Sequence, residues 1–112
     1  MAIAYEFDNV TVGTTELSLV SGNTTLQSVD WFAHRDLQLA GASLTASDLF
    51  HVRIYGAPTN THAQIQWSEV IPVQGPSGKL VLPFFRCAYK FDITIQKITG
   101  TDRAFSWSIA EA

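Results

Sequence analysis

Cysteine is almost missing from this 112-residue sequence: Cys87 is the single one. No intrachain disulfide can form, and no zinc knuckle can be assembled. Set after Phe84-Phe85-Arg86, Cys87 reads as a small buried hydrophobe rather than a nucleophile. Charge is scarce as well, at 15% of residues, which excludes a solvated disordered chain. The seven Lys and Arg are scattered, and the net charge is −3 with a pI near 5.4. With no basic stripe, the sequence lacks what neutralising a nucleic-acid backbone requires. Long apolar runs are also lacking, so no helical membrane span is expected. "MAIAYEFDNV" carries acids by its sixth residue and has no basic segment leading into an apolar one. The chain reads as soluble and made in the cytosol.

Apolar residues, by contrast, are plentiful, at 46%, with three Trp and seven Phe. That is enough for one core in one domain spanning residues 1–112. So little charge on so small a domain suggests that a partner covers part of the surface.

The apolar periodicity is almost entirely two. Tyr5 and Phe7 alternate with Glu6 and Asp8. Phe50, Val52 and Ile54 alternate with His51, Arg53 and Tyr55. Phe91, Ile93 and Ile95 form the most regular run, and Phe105, Trp107 and Ile109 the last one. Residues 24–39 are mixed in phase, as one bulged strand or as two strands joined at His34-Arg35-Asp36. Thr45 and Asp48 have cap-box spacing, compatible with one short helical turn. Turn signals at Gly13, Gly22, Gly56-Ala57-Pro58 and Gly75-Pro76 separate the runs. Seven to nine short strands of this kind predict an all-β antiparallel sandwich, jelly-roll-like or Ig-like, with a small β-barrel as the alternative.

Thr99-Gly100-Thr101-Asp102-Arg103, between the last two runs, fits a hairpin turn. Gly100 supplies a positive φ, and Asp102 beside Arg103 provides local polar partners. A catalytic Asp–Arg pair would need a cleft and a base, and neither is nearby in sequence.

Other candidate chemistry is equally thin. Gly75-Pro76-Ser77-Gly78-Lys79 has Val73 where a phosphate loop needs its first Gly, and Leu80 where it needs a hydroxyl. His34, His51 and His62 lack the close spacing of metal ligands. No Gly-x-Ser-x-Gly elbow occurs, and Glu6 and Asp8 share one strand face. No catalytic, cofactor or metal site is therefore expected, and an enzyme is not.

Two segments are candidates for partner contact. Residues 1–5, with Ile3 and Tyr5 apolar, are either an ordinary first strand or an arm that adds a strand to a partner. Phe84, Phe85 and Arg86 put consecutive aromatics on both faces of one strand. One of those rings must find a partner, inside the chain or outside it.

The stretches "FDNVTVGTTELSL" (residues 7–19), "DLFHVRIYG" (48–56) and "KITGTDRAFSWSI" (97–109) together resemble a group of small β-rich virion proteins of tailed bacteriophages. The resemblance covers roughly a third of the chain and does not extend to residues 62–89. It implies a capsid decoration, or cement, protein that binds the major capsid protein at the virion surface after synthesis in the host cytoplasm. It also implies a homotrimer or symmetric array of copies. A head–tail adaptor or tail component is the alternative within the particle. A carbohydrate-binding module, using Trp31, Trp67 and Tyr55, is the alternative outside it.

Overall fold

The computed structural model describes residues 2–29, 35–66, 71–85 and 89–111; the side chains of Ala2, Arg35, Ile65, Gln66, Phe84 and Phe85 are left aside. The described residues form nine strands and no helix: β1 (Ala2–Val12), β2 (Leu17–Ser18), β3 (Arg35–Gly41), β4 (Leu49–Ala57), β5 (Ile65–Gln66), β6 (Ile71–Gln74), β7 (Lys79–Phe85), β8 (Tyr89–Thr99) and β9 (Arg103–Glu111). They build two antiparallel sheets. Sheet A has the order β1-β9-β3-β7. Sheet B has the order β2-β8-β4-β5, with β6 also pairing β4.

β5 meets Tyr55 and Gly56 at one end of β4, and β6 meets Leu49 to Val52 at the other. They are two pieces of one strand position. With that position counted once, consecutive strands alternate between the sheets at every step but one. The order 1-8-3-6 over 2-7-4-5 is the double Greek key of a jelly roll. The Ig-like alternative fails because its last two strands share a sheet, whereas β8 and β9 lie in different ones. The barrel alternative fails because the two sheets remain separate.

Alternation accounts for the core. Phe50, Val52 and Ile54 of β4 and Phe91, Ile93 and Ile95 of β8 point inward from sheet B. Leu37 and Leu39 of β3 and Phe105, Trp107 and Ile109 of β9 meet them from sheet A. Each such side chain contributes about 1.5–3 kcal/mol by leaving water. Phe50 and Phe105 join the layers edge to face, with ring centroids 4.7 Å apart at 71°. The Trp107 indole N–H donates to the Leu19 carbonyl at 2.8 Å, so this large ring is buried without an unpaired donor.

Three local expectations are corrected by the topology. The first is the hairpin at 99–103. Its flanking strands alternate as expected, yet residues 100–102 carry the chain from sheet B to sheet A. The second is the Asp102–Arg103 pair. Asp102 pairs instead with Lys97 at 2.6 Å, and Arg103 Nε donates to Asp48 at 2.9 Å. The third is the helical turn at Thr45, where no helix forms. Half of the cap box exists nonetheless: Thr45 N–H donates to the Asp48 carboxylate at 2.7 Å, while Asp48 N–H closes a turn onto the Thr45 carbonyl at 3.0 Å.

Residues 24–39 divide between the sheets, but not at His34-Arg35-Asp36: Arg35 and Asp36 already belong to β3, and His34 lies outside the described residues. Val29 bridges to Phe91 of sheet B, whereas β3 belongs to sheet A. The ordinary-strand reading describes residues 2–5, which open β1 and pair with β9 from Ala2↔Glu111 onward.

Candidate functional site

The two outer sheet faces differ in what they leave open. On sheet B most outward side chains of β8 and β4 are bound into a polar network, with His51 outside it. Asp92, 1% exposed, accepts from the Ser18 hydroxyl at 2.7 Å, from Ile93 N–H at 2.8 Å and from Gln27 N–H at 2.9 Å. Burial pushes its carboxyl above the usual range, and these hydrogen bonds offset part of that rise. Glu16, from the segment between β1 and β2, lies over the same face. Its carboxylate accepts from the Tyr55 hydroxyl at 2.7 Å and from the Thr94 hydroxyl, with Arg53 Nη1 3.6 Å away. Burial and that Glu16 bond push the Tyr55 phenol up to about 12. Arg53 Nη1 also donates to Gln96 at 2.7 Å, and Gln96 donates to the Thr14 carbonyl at 2.7 Å. These groups hold one another and position the 13–16 segment. None is poised as a base or nucleophile.

Sheet A is arranged the other way. With Phe105, Trp107 and Ile109 inward, β9 presents Ser106 and Ser108 outward, and β3 likewise presents Gln38 and Ala40. The pairing aligns these residues in rows across the strands. One row runs Glu6, Ser108, Gln38, Val81 from β1 to β7. The next runs Ser106, Ala40, Lys79 and is completed on the β1 side by Asp8, which accepts from the Ser106 hydroxyl. Ser106, Ser108 and Ala40 keep the centre low around Gln38, and the charged side chains stand at the edges. The result is a shallow groove of about 500 Å³ on the outer face of sheet A.

Its rims carry opposite charge. Glu6 and Asp8 stand on β1, and Lys79 stands on β7 beside Val81, which is 64% exposed. The side chains of Glu6, Gln38, Lys79 and Ser108 make no hydrogen bond or ion pair with the described residues. The groove therefore offers an acceptor, a cation, an amide and a hydroxyl on a floor of small residues.

The β1 rim owes its shape to two bulges. Between Ile3 and Tyr5, two steps of β1 match one of β9, so Ile3 pairs with Ala110 and Tyr5 with Ile109. Ile3 is left 57% exposed on the outer face, while Tyr5 turns inward and packs on the core. A second bulge lies between Phe7 and Val10. There Asn9 adopts φ 53 and its N–H donates to the Ser106 hydroxyl at 3.1 Å.

Both edges of sheet A are blunted. The two bulges interrupt β1, and β7 carries Lys79 and Pro83 at its free edge. A partner that simply extended the sheet would meet these interruptions, which makes the groove the accessible polar surface.

Of the residues expected to contact a partner, Ile3 lies on this face, beyond the groove's acidic rim, and Tyr5 does not. Phe84 and Phe85 end β7, the opposite rim, at the far end from Lys79, with Phe85 paired with Arg35. Arg86 lies outside the described residues, as do Cys87, His34, Trp31 and Trp67. Tyr55, the third aromatic of the carbohydrate alternative, has its hydroxyl committed to Glu16. Gln38, Ser106, Ser108 and Lys79 were passed over in the sequence. Their signal there was faint: small or polar residues opposite the apolar phase of a strand. Comparison with protein-family models, curated protein sequences and solved structures finds no match to this chain.

Proposed function

We propose that this chain is a non-enzymatic structural protein of a tailed-phage virion. It binds the outer surface of the assembled major capsid protein and stabilises the head. It is made in the host cytoplasm and works at the particle surface, where copies gather in a symmetric array around the points at which capsid subunits meet. The observation that carries the reading is the asymmetry of the two outer faces. Sheet B is largely covered by its own polar network, whereas sheet A offers an open groove with charged rims and unpaired polar groups. A jelly roll with one face largely covered and one open suits a protein that docks by a face. The sequence resemblance points to the same role, and fold alone would not.

Co-sedimentation of the purified protein with expanded, empty capsid shells tests the proposal. Saturable binding at many copies per shell is expected, and Ser108→Trp, which fills the groove floor, should abolish it. If wild-type protein does not bind such shells, the decoration reading is abandoned. Binding at one vertex alone would point instead to a head–tail position.

A further inference from the structure

The groove's charges and width narrow what it can hold. The identity of the partner rests on the capsid-binding reading, but the chemistry of the occupant rests on the groove alone. The rims belong to β1 and β7, the first and last strands of sheet A. Three strand spacings set them about 14 Å apart. A second copy laid face to face would bring the two grooves together floor to floor. Two concave floors would leave a void between them. An extended chain fits instead, since about four residues at 3.3 Å each span rim to rim.

We propose that the groove takes one extended segment of a partner protein, lying across the strands. A Lys or Arg of that segment meets Glu6 and Asp8, and an Asp or Glu four residues away meets Lys79. Residues i, i+2 and i+4 of an extended chain point to the same side. The middle one therefore comes down on Ser106, Ser108, Ala40 and Gln38, and the exposed Gln38 side chain standing up from the floor favours a small residue there. The recognised pattern is basic-x-small-x-acidic, in either chain direction.

A random 12-residue peptide library, selected against the wild-type protein and against Lys79→Glu, tests this. Lys79 is an exposed strand-edge residue, so the variant keeps the fold, as a thermal melt will confirm. Wild-type protein should enrich peptides with opposite charges four residues apart around a small residue. The variant should bind the best of these about tenfold more weakly, a loss larger than one exposed ion pair alone because attraction becomes repulsion. Replacing that peptide's acidic residue with Lys should restore binding to the variant. Absence of the charge pair among wild-type peptides, or equal affinity of both proteins, overturns the inference. The same two proteins on expanded shells separate the two proposals. If both bind shells equally, the peptide inference falls and the capsid reading stands. If the charge-pair peptides are enriched but shells are not bound, the capsid reading falls and the inference stands.

Discussion

Asp48 and Arg103 lie 55 residues apart and at the starts of strands in opposite sheets, yet their side chains meet at 2.9 Å. The Asp48 side chain is fully buried. It also accepts from Thr45 N–H at 2.7 Å and Thr101 N–H at 2.8 Å, and the Asp48 carbonyl accepts from Gly75 N–H at 3.1 Å. Three of the passages between the sheets, at 42–48, 75–78 and 100–102, are thus joined at one residue. The polar knot in "KITGTDR" is half of a clasp whose other half is "LTASD".

The backbone hydrogen bonds from Thr45 and Thr101, with Arg103 adding to them, hold the Asp48 carboxyl at about 2, below its ordinary 3.8. Its folded pKa is depressed, so its contribution is complete above pH 3.8 and is lost as pH falls from 3.8 toward 2. The melting temperature of the wild-type protein should drop through that window. Asp48→Asn should be less stable at neutral pH and flatter in acid. A variant melting curve as steep in acid as the wild type's would contradict this assignment.

Asp92 has the opposite sign. Its folded pKa is raised, so its ionisation disfavours the folded state as pH rises from 3.8 through the folded value. Asp92→Asn keeps an acceptor for Ser18 and Ile93 and gives up the one for Gln27 N–H. Relative to wild type, the variant should compare better at pH 7 than at pH 3. Urea denaturation at the two pH values measures that difference.

Gly100 adopts φ +95, and a Cβ there would lie 2.1 Å from Asp48 Oδ1. Gly100→Ala should destabilise by about 2 kcal/mol or more, through backbone strain and displacement of the clasp together. Chemical denaturation checks the value. The carboxyl titration of Asp48, followed by NMR, should move upward in the same variant.

Phe50 is completely buried against Phe105 of the facing sheet. Phe50→Ala should cost about 3–5 kcal/mol, read as a lower urea midpoint at an unchanged slope. Ser108→Trp, on the outer face, should shift the midpoint little while blocking the groove.

The sequence disclosed the strands far better than their partners. Phe105, Trp107 and Ile109 declare β9 by alternation alone, as Phe50, Val52 and Ile54 declare β4, because one buried face leaves a period of two. Nothing local distinguishes a hairpin from a passage between sheets at 99–103, since both want a short loop with Gly. The choice is made by Asp48, far away along the chain. The groove was hidden for a related reason. Its rows join β1, β9, β3 and β7, four segments brought together only by the topology, and its small and polar residues show in the sequence only as the complement of the buried phase. The bulge that separates Ile3 from Tyr5 is set by pairing with β9, so two residues that alternation places on one face end on opposite ones.

The position of β9 has a consequence for biosynthesis. It is an inner strand of sheet A, flanked by β1 and β3, although it follows every other strand in the chain. A ribosome adding about 5–20 residues per second has released β1 and β3 well before the strand between them exists. Until residues 103–111 emerge, the inner edges of both strands are open and the apolar residues of β3, Leu37 and Leu39, have no cover from Trp107 and Ile109. Sheet A can assemble only once residues 103–111 have emerged, and a nascent chain held short of Arg103 should bind chaperones rather than fold.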